Sequence, residues 1–148
     1  MTRVEPNNAE TNNAAAEPKV LAVLVIEDDP FFRDVMVDAL GGAGFRPLAA
    51  ENGSVGLKIA LAQHVDIVVT DLFMPEKEGM ETIRSLRDRF AFMPILVVSG
   101  GIAGQRSDFL GMSVRLGASA AISKPFLPSE LVQAVRNLAT AAGLLPAS

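Results

Sequence analysis

The chain has 148 residues, a formal net charge of -4 at pH 7, no cysteine and a single histidine. This length suits one domain with one core, and the acidic balance offers no electrostatic footprint for nucleic acid or an anionic membrane surface. The lack of cysteine and the single His64 exclude disulfide bonds, thiolate metal sites and a zinc site built from several histidines.

The first residues differ in composition from the rest of the chain. Residues 1–18 are rich in Asn, Glu, Pro and Ala, and we expect a disordered tail because they offer little apolar area to bury. They lack the basic start and apolar middle of a secretory signal, and the sequence contains no apolar run of about 18 residues. We therefore expect a cytoplasmic protein, with an ordered domain over 19–143 and a short C-terminal tail over 144–148.

From Val20 onward, short apolar runs alternate with helical patterns. This alternation predicts βαβ units in a doubly wound α/β domain with a parallel sheet. The predicted strands cover 20–26, 46–50, 66–71, 94–99 and 120–123. The predicted helices cover 30–40, 54–63, 80–90, 105–116 and 128–142.

The first helix has clear boundary signals. Asp29 and Pro30 are typical of an N-cap and the first helical position, and Gly41, Gly42 and Gly44 are expected to end the helix. The third helix has an apolar stripe. The residues of that stripe are Ile83, Leu86 and Phe90.

Polar and charged residues lie at the carboxyl ends of four of the five predicted strands. They are Glu27, Asp28 and Asp29 after the first strand, Asp71 in the third, Ser99 in the fourth and Lys124 after the fifth. In a doubly wound sheet, functional groups gather beyond the carboxyl ends of the strands. Carboxylates that close repel each other by roughly 4 kcal/mol per pair at 4 Å and an effective dielectric near 20. We therefore expect a divalent cation, Mg²⁺ by ligand chemistry, with Mn²⁺ as a substitute.

Each of these residues also has a simpler explanation when taken alone. Asp29 before proline is better explained as a helix cap than as a metal ligand. Glu27 and Asp28 alone suit a solvated turn, Ser99 before glycine suits a turn, and a lone Lys124 suits the surface. Their joint occurrence at the strand ends favours one shared site.

Four segments carry a family resemblance. VLVIEDDP, DIVVTDLFMPEKEG, PILVVSGG and ISKPF, in this order and spacing, resemble the receiver domain of two-component response regulators. The resemblance covers about 19–142 and implies a flavodoxin-like fold, with a five-stranded parallel sheet in order 2-1-3-4-5.

The resemblance also implies roles for individual residues. It makes Asp71 the phosphoacceptor, Ser99 the switch hydroxyl and Lys124 the phosphate-binding lysine. It implies that Mg²⁺ is held by Asp28, by Asp71 and by the main-chain carbonyl of Phe73, with Glu27 acting through water. His64, at the end of the second helix, is not the phosphodonor histidine of such systems and is expected to cap that helix or to lie on the surface.

The implied function is that of a stand-alone, single-domain response regulator. Such a protein accepts a phosphoryl group from a phosphohistidine of a sensor histidine kinase or a histidine phosphotransfer protein, and acts as a signalling switch or phosphorelay intermediate. It catalyses its own phosphorylation and dephosphorylation without turning over an independent substrate. We expect a downstream protein target on the face of the fourth helix, fifth strand and fifth helix, with no direct nucleic acid binding and no membrane insertion.

Other functions are compatible with a related fold or pocket. The main alternative is a pseudo-receiver that binds partners without being phosphorylated. A flavodoxin-like cofactor binder is disfavoured because Glu27, Asp28 and Asp29 would repel its phosphate. Phosphatases with an Asp nucleophile place that residue after the first strand, whereas Asp71 belongs to the third.

The sequence departs from the family pattern at the expected switch and tuning positions. Ala121 stands where many members carry Tyr or Phe as a rotating switch. Phe73 and Gly101 occupy positions that tend to tune dephosphorylation, and Gly100 with Gly101 loosens the start of the fourth helix. Phe126 is a further switch candidate, with packing under the fifth helix as its alternative role.

Overall fold

The structure is a computed structural model and describes residues 19–72, 78–100, 111, 114–115 and 117–146. The strands are β1 (Ala22–Ile26), β2 (Arg46–Ala50), β3 (Ile67–Asp71), β4 (Ile95–Ser99) and β5 (Ala120–Ser123). The helices are α1 (Pro30–Gly42), α2 (Gly53–Ala62), α3 (Glu78–Arg89) and α4 (Pro128–Ala141). The predictions that lie outside the described residues concern the tail over 1–18, Phe73, Gly101 and most of the helix over 105–116.

All five strands are parallel, in the order β2-β1-β3-β4-β5. This order confirms the predicted fold class. Every residue of β1, β3 and β4 is buried, as expected for strands that are covered on both faces. In the register, Asp71 pairs with Val98 and Ser99 pairs with Ser123, so the carboxyl ends of these strands meet along one edge of the sheet.

The core consists of two apolar clusters, one on each face of the sheet. Successive residues of β1 alternate between them because side chains of a strand point to opposite faces. The first cluster joins the sheet to α1 and α4 and includes Val23, Val25, Met36, Leu40, Leu131 and Val135. The second joins it to α2 and α3 and includes Leu24, Ile26, Ala60, Ile83 and Leu86.

The start of α1 agrees with its sequence signals, but its end differs. The Asp29 side chain accepts hydrogen bonds from the backbone N–H groups of Phe31 and Phe32, which confirms it as the N-cap. Gly41 and Gly42 are the last two residues of α1 and do not terminate it. The chain reverses at Gly44, where φ is 99°, a conformation that favours glycine.

The amino edge of the sheet, opposite the ends of β3 and β4, holds the buried carboxylate of Asp66. Asp66 accepts hydrogen bonds from the backbone N–H of Ala22 at 2.8 Å, and its Oδ1 lies 2.7 Å from His64 Nε2. His64 is exposed as expected and its ring contacts Asp66, whereas the C-cap of α2 is Gln63, whose N–H bonds the carbonyl of Ile59. The alternative in which His64 caps the helix was therefore wrong.

Both ends of the described chain also lie at this amino edge. Lys19, Leu21, Phe45, Arg136 and Leu145 line one surface pocket there. The backbone N–H of Leu145 bonds back to the carbonyl of Ala139 in α4, which ties down the chain after the helix. Within the ranges described, none of the helices combines the length and apolar character needed to cross a bilayer.

Candidate functional site

Three carboxylates converge at the carboxyl edge of the sheet. Carboxylate oxygens of Glu27, Asp28 and Asp71 lie within 4.8 Å of one another. Glu27 directly follows β1 and is 1% exposed, and Asp71 is the last residue of β3 and is 4% exposed, whereas Asp28 faces solvent. Because β1 and β3 are neighbours in the sheet, their ends bring these charges together.

Lys124 lies between two of these carboxylates. Its Nζ is 3.0 Å from Glu27 Oε1 and 3.0 Å from Asp71 Oδ2, and its side chain is 18% exposed. The backbone N–H of Lys124 donates to the carbonyl of Ser99 at 2.8 Å, which extends the pairing of β4 with β5 and fixes where the lysine leaves the sheet. The ammonium, which follows β5, therefore meets carboxylates from the ends of two other strands, β1 and β3.

The electrostatics follow from burial and from this shared cation. Burial raises the pKa of Glu27 above its ordinary value, and the nearby charge of Asp71 raises it further. The hydrogen bond from the Asp29 N–H and the contact with Lys124 lower this pKa, but they do not cancel the increase. Burial by itself would lower the pKa of Lys124, but its hydrogen bonds and charge pairs with Asp71 and Glu27 raise it. Lys124 is thus a permanent cation at neutral pH.

Two hydrogen bonds from the start of α1 hold Glu27 in place. Its Oε2 accepts a hydrogen bond from the Asp29 N–H at 3.1 Å, and its main-chain carbonyl accepts one from the Arg33 guanidinium at 2.7 Å. The sequence interpretation did not assign Arg33. The signal was its place in the first turn of α1, beside the acidic residues.

The ring of Phe32 covers Lys124 from the side of α1. The ammonium lies 4.2 Å from the ring centroid, and Phe32 in turn packs edge to face against Phe126 at 5.5 Å between centroids. Phe32 was also missed by sequence reasoning. It lies four residues before the buried Met36, which places both on the inward stripe of α1.

Ser99 contributes a buried hydroxyl to the same edge. It is the last residue of β4, and its Oγ has no hydrogen-bond partner among the residues that the structure describes. A buried polar group without a partner costs about 1–3 kcal/mol, so this hydroxyl is available to a new acceptor. Gly100 follows it on the surface. A Cβ at this position would lie 3.8 Å from Cδ of Lys124, which is an ordinary van der Waals contact.

The two predicted switch positions lie on opposite faces of the sheet. Ala121 packs against the cluster under α2 and α3, and Phe126 packs against the cluster under α1 and α4. Phe126 therefore makes the packing contacts that were given as its alternative role.

Gly79 allows the start of α3 to approach the backbone of Asp71, the candidate phosphoacceptor, and of Leu72. A Cβ at this second residue of α3 would collide with the carbonyl oxygens of Asp71 and Leu72. The helix can begin directly against the end of β3 only because residue 79 has no side chain.

The residues of the pocket suit a hard divalent cation. Glu27, Asp28 and Asp71 supply carboxylate oxygens on one side of a partly open pocket, which are the ligands that Mg²⁺ prefers. The excess of these carboxylates over the ammonium of Lys124 leaves net negative charge for such a cation to neutralise. Mn²⁺ has similar ligand preferences.

Comparison with known sequences identifies relatives of the chain. It is 35% identical over 123 residues to a probable transcriptional regulatory protein of Picosynechococcus sp. The aligned segment covers 78% of this chain and 48% of the relative. It is 34% identical over 114 residues to the KDP operon transcriptional regulatory protein KdpE of Escherichia coli, covering 77% and 49%. The chain spans about half the length of these relatives.

Solved structures give the same fold. A CheY-like response regulator receiver domain protein from Methanospirillum hungatei superposes with a TM-score of 0.75 at 22% identity, covering 84% of this chain and 98% of that one. The response regulator protein TrrA of Thermotoga maritima, solved in complex with Mg²⁺ and BeF, has a TM-score of 0.69 at 28% identity, with coverage of 80% and 99%.

The family model of the response regulator receiver domain matches residues 23–136. This segment contains β2 to β5, all of β1 except Ala22, and the three carboxylates of the pocket. It also contains the whole second core cluster and all of the first except Leu21, Leu138 and Ala139. Because the match covers well over half of the sequence, the chain belongs to the response regulator receiver domain family.

Proposed function

We propose that this protein is a phosphorylation switch in which Asp71 accepts a phosphoryl group from a phosphohistidine donor in an Mg²⁺-dependent reaction. The observation that carries the proposal is the position of Lys124, 3.0 Å from both Asp71 Oδ2 and Glu27 Oε1, beside three clustered carboxylates. A nucleophile, a cation for phosphoryl oxygens and a set of metal ligands thus share one pocket.

The chemistry requires little beyond position and charge. A carboxylate oxygen of Asp71 attacks the phosphorus, the P–N bond to the donor imidazole breaks, and the bonding electron pair leaves with the imidazole. Lys124, which stays protonated at neutral pH, donates a hydrogen bond to a phosphoryl oxygen and offsets its charge. When bound by Glu27, Asp28 and Asp71, Mg²⁺ supplies further positive charge for the phosphoryl oxygens.

The hydroxyl of Ser99 supports a switching role for the same pocket. Its buried Oγ gains an acceptor only if an oxygen arrives nearby, and a phosphoryl group on Asp71 brings such oxygens to the end of the neighbouring strand. The phosphorylated protein therefore favours any arrangement that brings Ser99 closer to Asp71.

A protein target is the preferred recipient of the signal. Ala121, Ile122, Phe126 and Glu130 line a pocket between β5 and α4, on the face where the sequence predicts the target to bind. The acidic net charge also favours a protein over nucleic acid as the direct partner. We also propose that the protein acts as a single domain. In this it would differ from the two transcriptional regulatory proteins named above, which are about twice as long as this chain.

Intact-mass measurement tests the proposal. The protein is incubated with acetyl phosphate and MgCl₂, and we expect a gain of one phosphoryl group that is lost in EDTA and in Asp71→Asn. Asp66→Asn is a matched control, because it removes a buried carboxylate at the opposite edge of the sheet and should leave labelling intact. An unlabelled wild-type protein would indicate a pseudo-receiver, and labelling of Asp71→Asn would overturn the assignment of the phosphoacceptor.

A further inference from the structure

The ammonium of Lys124 has an aromatic neighbour in addition to its two carboxylates. The ring centroid of Phe32 is 4.2 Å from Nζ, well inside the roughly 6 Å limit of cation–π attraction. The lysine side chain is only 18% exposed, so solvent competes weakly for its ammonium. Attraction to an aromatic face increases under such desolvation.

The ring is itself fixed by its surroundings. Phe32 lies in the first turn of α1 and packs against the apolar cluster between α1, α4 and the sheet. The Phe126 ring meets it at 62° and 5.5 Å between centroids, a favourable edge-to-face arrangement. One face of Phe32 is thereby held toward the ammonium.

We propose that Phe32 is a positioning residue for phosphoryl transfer, whose ring face keeps the Lys124 ammonium at the Asp71 carboxylate. This inference rests on the proposed function. The lysine stem is flexible, and its contact with Asp71 must change when the carboxylate becomes an acyl phosphate. The ring persists through that change, because its attraction does not depend on either oxygen of Asp71.

An aromatic ring has an advantage over a further acidic side chain in this position. A carboxylate would add negative charge to a pocket that already holds three carboxylates and must admit a phosphoryl group. A ring attracts the ammonium without that repulsion. A leucine at position 32 could fill the apolar space but has no face of negative potential to offer.

The experiment separates the electrostatic effect of the ring from its packing. Phe32 is replaced by mono-, di- and trifluorophenylalanine, which weaken the negative potential of the ring face stepwise with small changes in size. The rate of labelling by acetyl phosphate at saturating Mg²⁺ should fall stepwise, by roughly threefold to tenfold in total. The melting temperature should stay nearly constant across the series.

Phe45 provides the matched control. It is buried in the same apolar cluster, and in the described part of the chain no lysine or arginine lies over its ring. The same fluorinated series at Phe45 should leave the labelling rate unchanged. Phe32→Leu should behave like the trifluoro protein, and Phe32→Tyr should retain most of the rate because its ring face is kept.

A second measurement does not depend on phosphorylation. In protein labelled with ¹³C at the lysine ε-carbon, the Lys124 signal should be shifted upfield by the Phe32 ring and should move toward the position of exposed lysines in Phe32→Leu. A Lys124 signal that is unchanged in Phe32→Leu would overturn the contact.

The outcomes distinguish this inference from the function on which it rests. If wild type is not labelled, the proposed function fails and the positioning role fails with it. If wild type is labelled but the fluorinated Phe32 series is flat, or if the Phe45 series falls equally, only the positioning role of Phe32 is overturned.

Discussion

Replacing Lys124 by methionine should destabilise the protein more than any other single loss of charge in the described structure. The change keeps a long apolar side chain and removes the cation that two buried carboxylates share. Glu27 and Asp71 would then face each other with no compensating charge from the protein. The expected result is a large loss of stability in the absence of metal.

The magnitude follows from the two contacts. At an effective dielectric near 20, a unit charge pair at 3.0 Å contributes about 5.5 kcal/mol of attraction. The desolvation of the ammonium offsets several kcal/mol of this gain, and removing one partner of a buried ion pair typically costs about 3–5 kcal/mol. We therefore expect the free energy of unfolding to fall by about 3–5 kcal/mol at pH 7 in EDTA.

Urea denaturation with and without Mg²⁺ measures this loss. Saturating Mg²⁺ should restore about 2–3 kcal/mol to Lys124→Met when its concentration is near a hundred times the dissociation constant. The matched control is Lys19→Met. Lys19 lies 3.8 Å from the buried Asp66 but is 60% exposed, so its removal should cost less than about 1 kcal/mol.

Two results would refute this reasoning. A loss of less than about 1 kcal/mol in Lys124→Met would mean that the ammonium is not balancing the two carboxylates. Equal losses in Lys124→Met and Lys19→Met would mean that burial of the pair makes no difference.

Three further predictions concern the same edge of the sheet. Asp28→Ala should abolish the increase in melting temperature that Mg²⁺ gives the wild type, and an equal increase in both proteins would contradict the metal assignment. Because burial raises the pKa of Glu27, its contribution to stability is fully present below the ordinary pKa of 4.5 and is lost as pH rises through the raised folded-state pKa. In EDTA, wild type should therefore lose stability relative to Glu27→Gln as pH rises from about 4 to 7, and parallel urea curves would argue against this. Gly79→Ala should destabilise the protein by about 2 kcal/mol or more and slow labelling of Asp71, since its Cβ collides with the backbone at Leu72; unchanged melting and labelling would disprove this.

The sheet was predictable from the sequence because its central strands are apolar throughout. The runs that end at Ile26, Asp71 and Ser99 carry no alternation, which indicates burial on both faces. The bounds of β2 and β5 also agree with prediction residue for residue. The helices at Pro30 and Pro128 also start where predicted, whereas α2 begins one residue early, at Gly53, because Asn52 caps it, a signal that the sequence interpretation did not use.

The candidate site was predictable as a set of residues but not as a set of contacts. The strand ends identify Glu27, Asp71 and Lys124, since parallel strands bring their carboxyl ends to one edge. The direct bond between Lys124 and Glu27 joins residues 97 positions apart and depends on side-chain geometry that no local pattern encodes. The contact of the Phe32 ring with the ammonium could not be predicted either. The apolar stripe of a helix predicts that a residue faces inward, but not which group it contacts there.

The position of Lys19 and Leu145 bears on how this domain can be engineered. Lys19 and Leu145 line one pocket at the amino edge, while the carboxylates lie beyond the far ends of five-residue strands, about 17 Å away at the usual rise of a strand. A fluorescent protein or an affinity tag attached directly at Lys19 or Leu145 is thus held away from Asp71. A short linker from Leu145 to Lys19 that replaces the segments outside them, with new termini opened in a surface turn such as the one at Gly44, gives a circular permutant that preserves every strand end of the pocket.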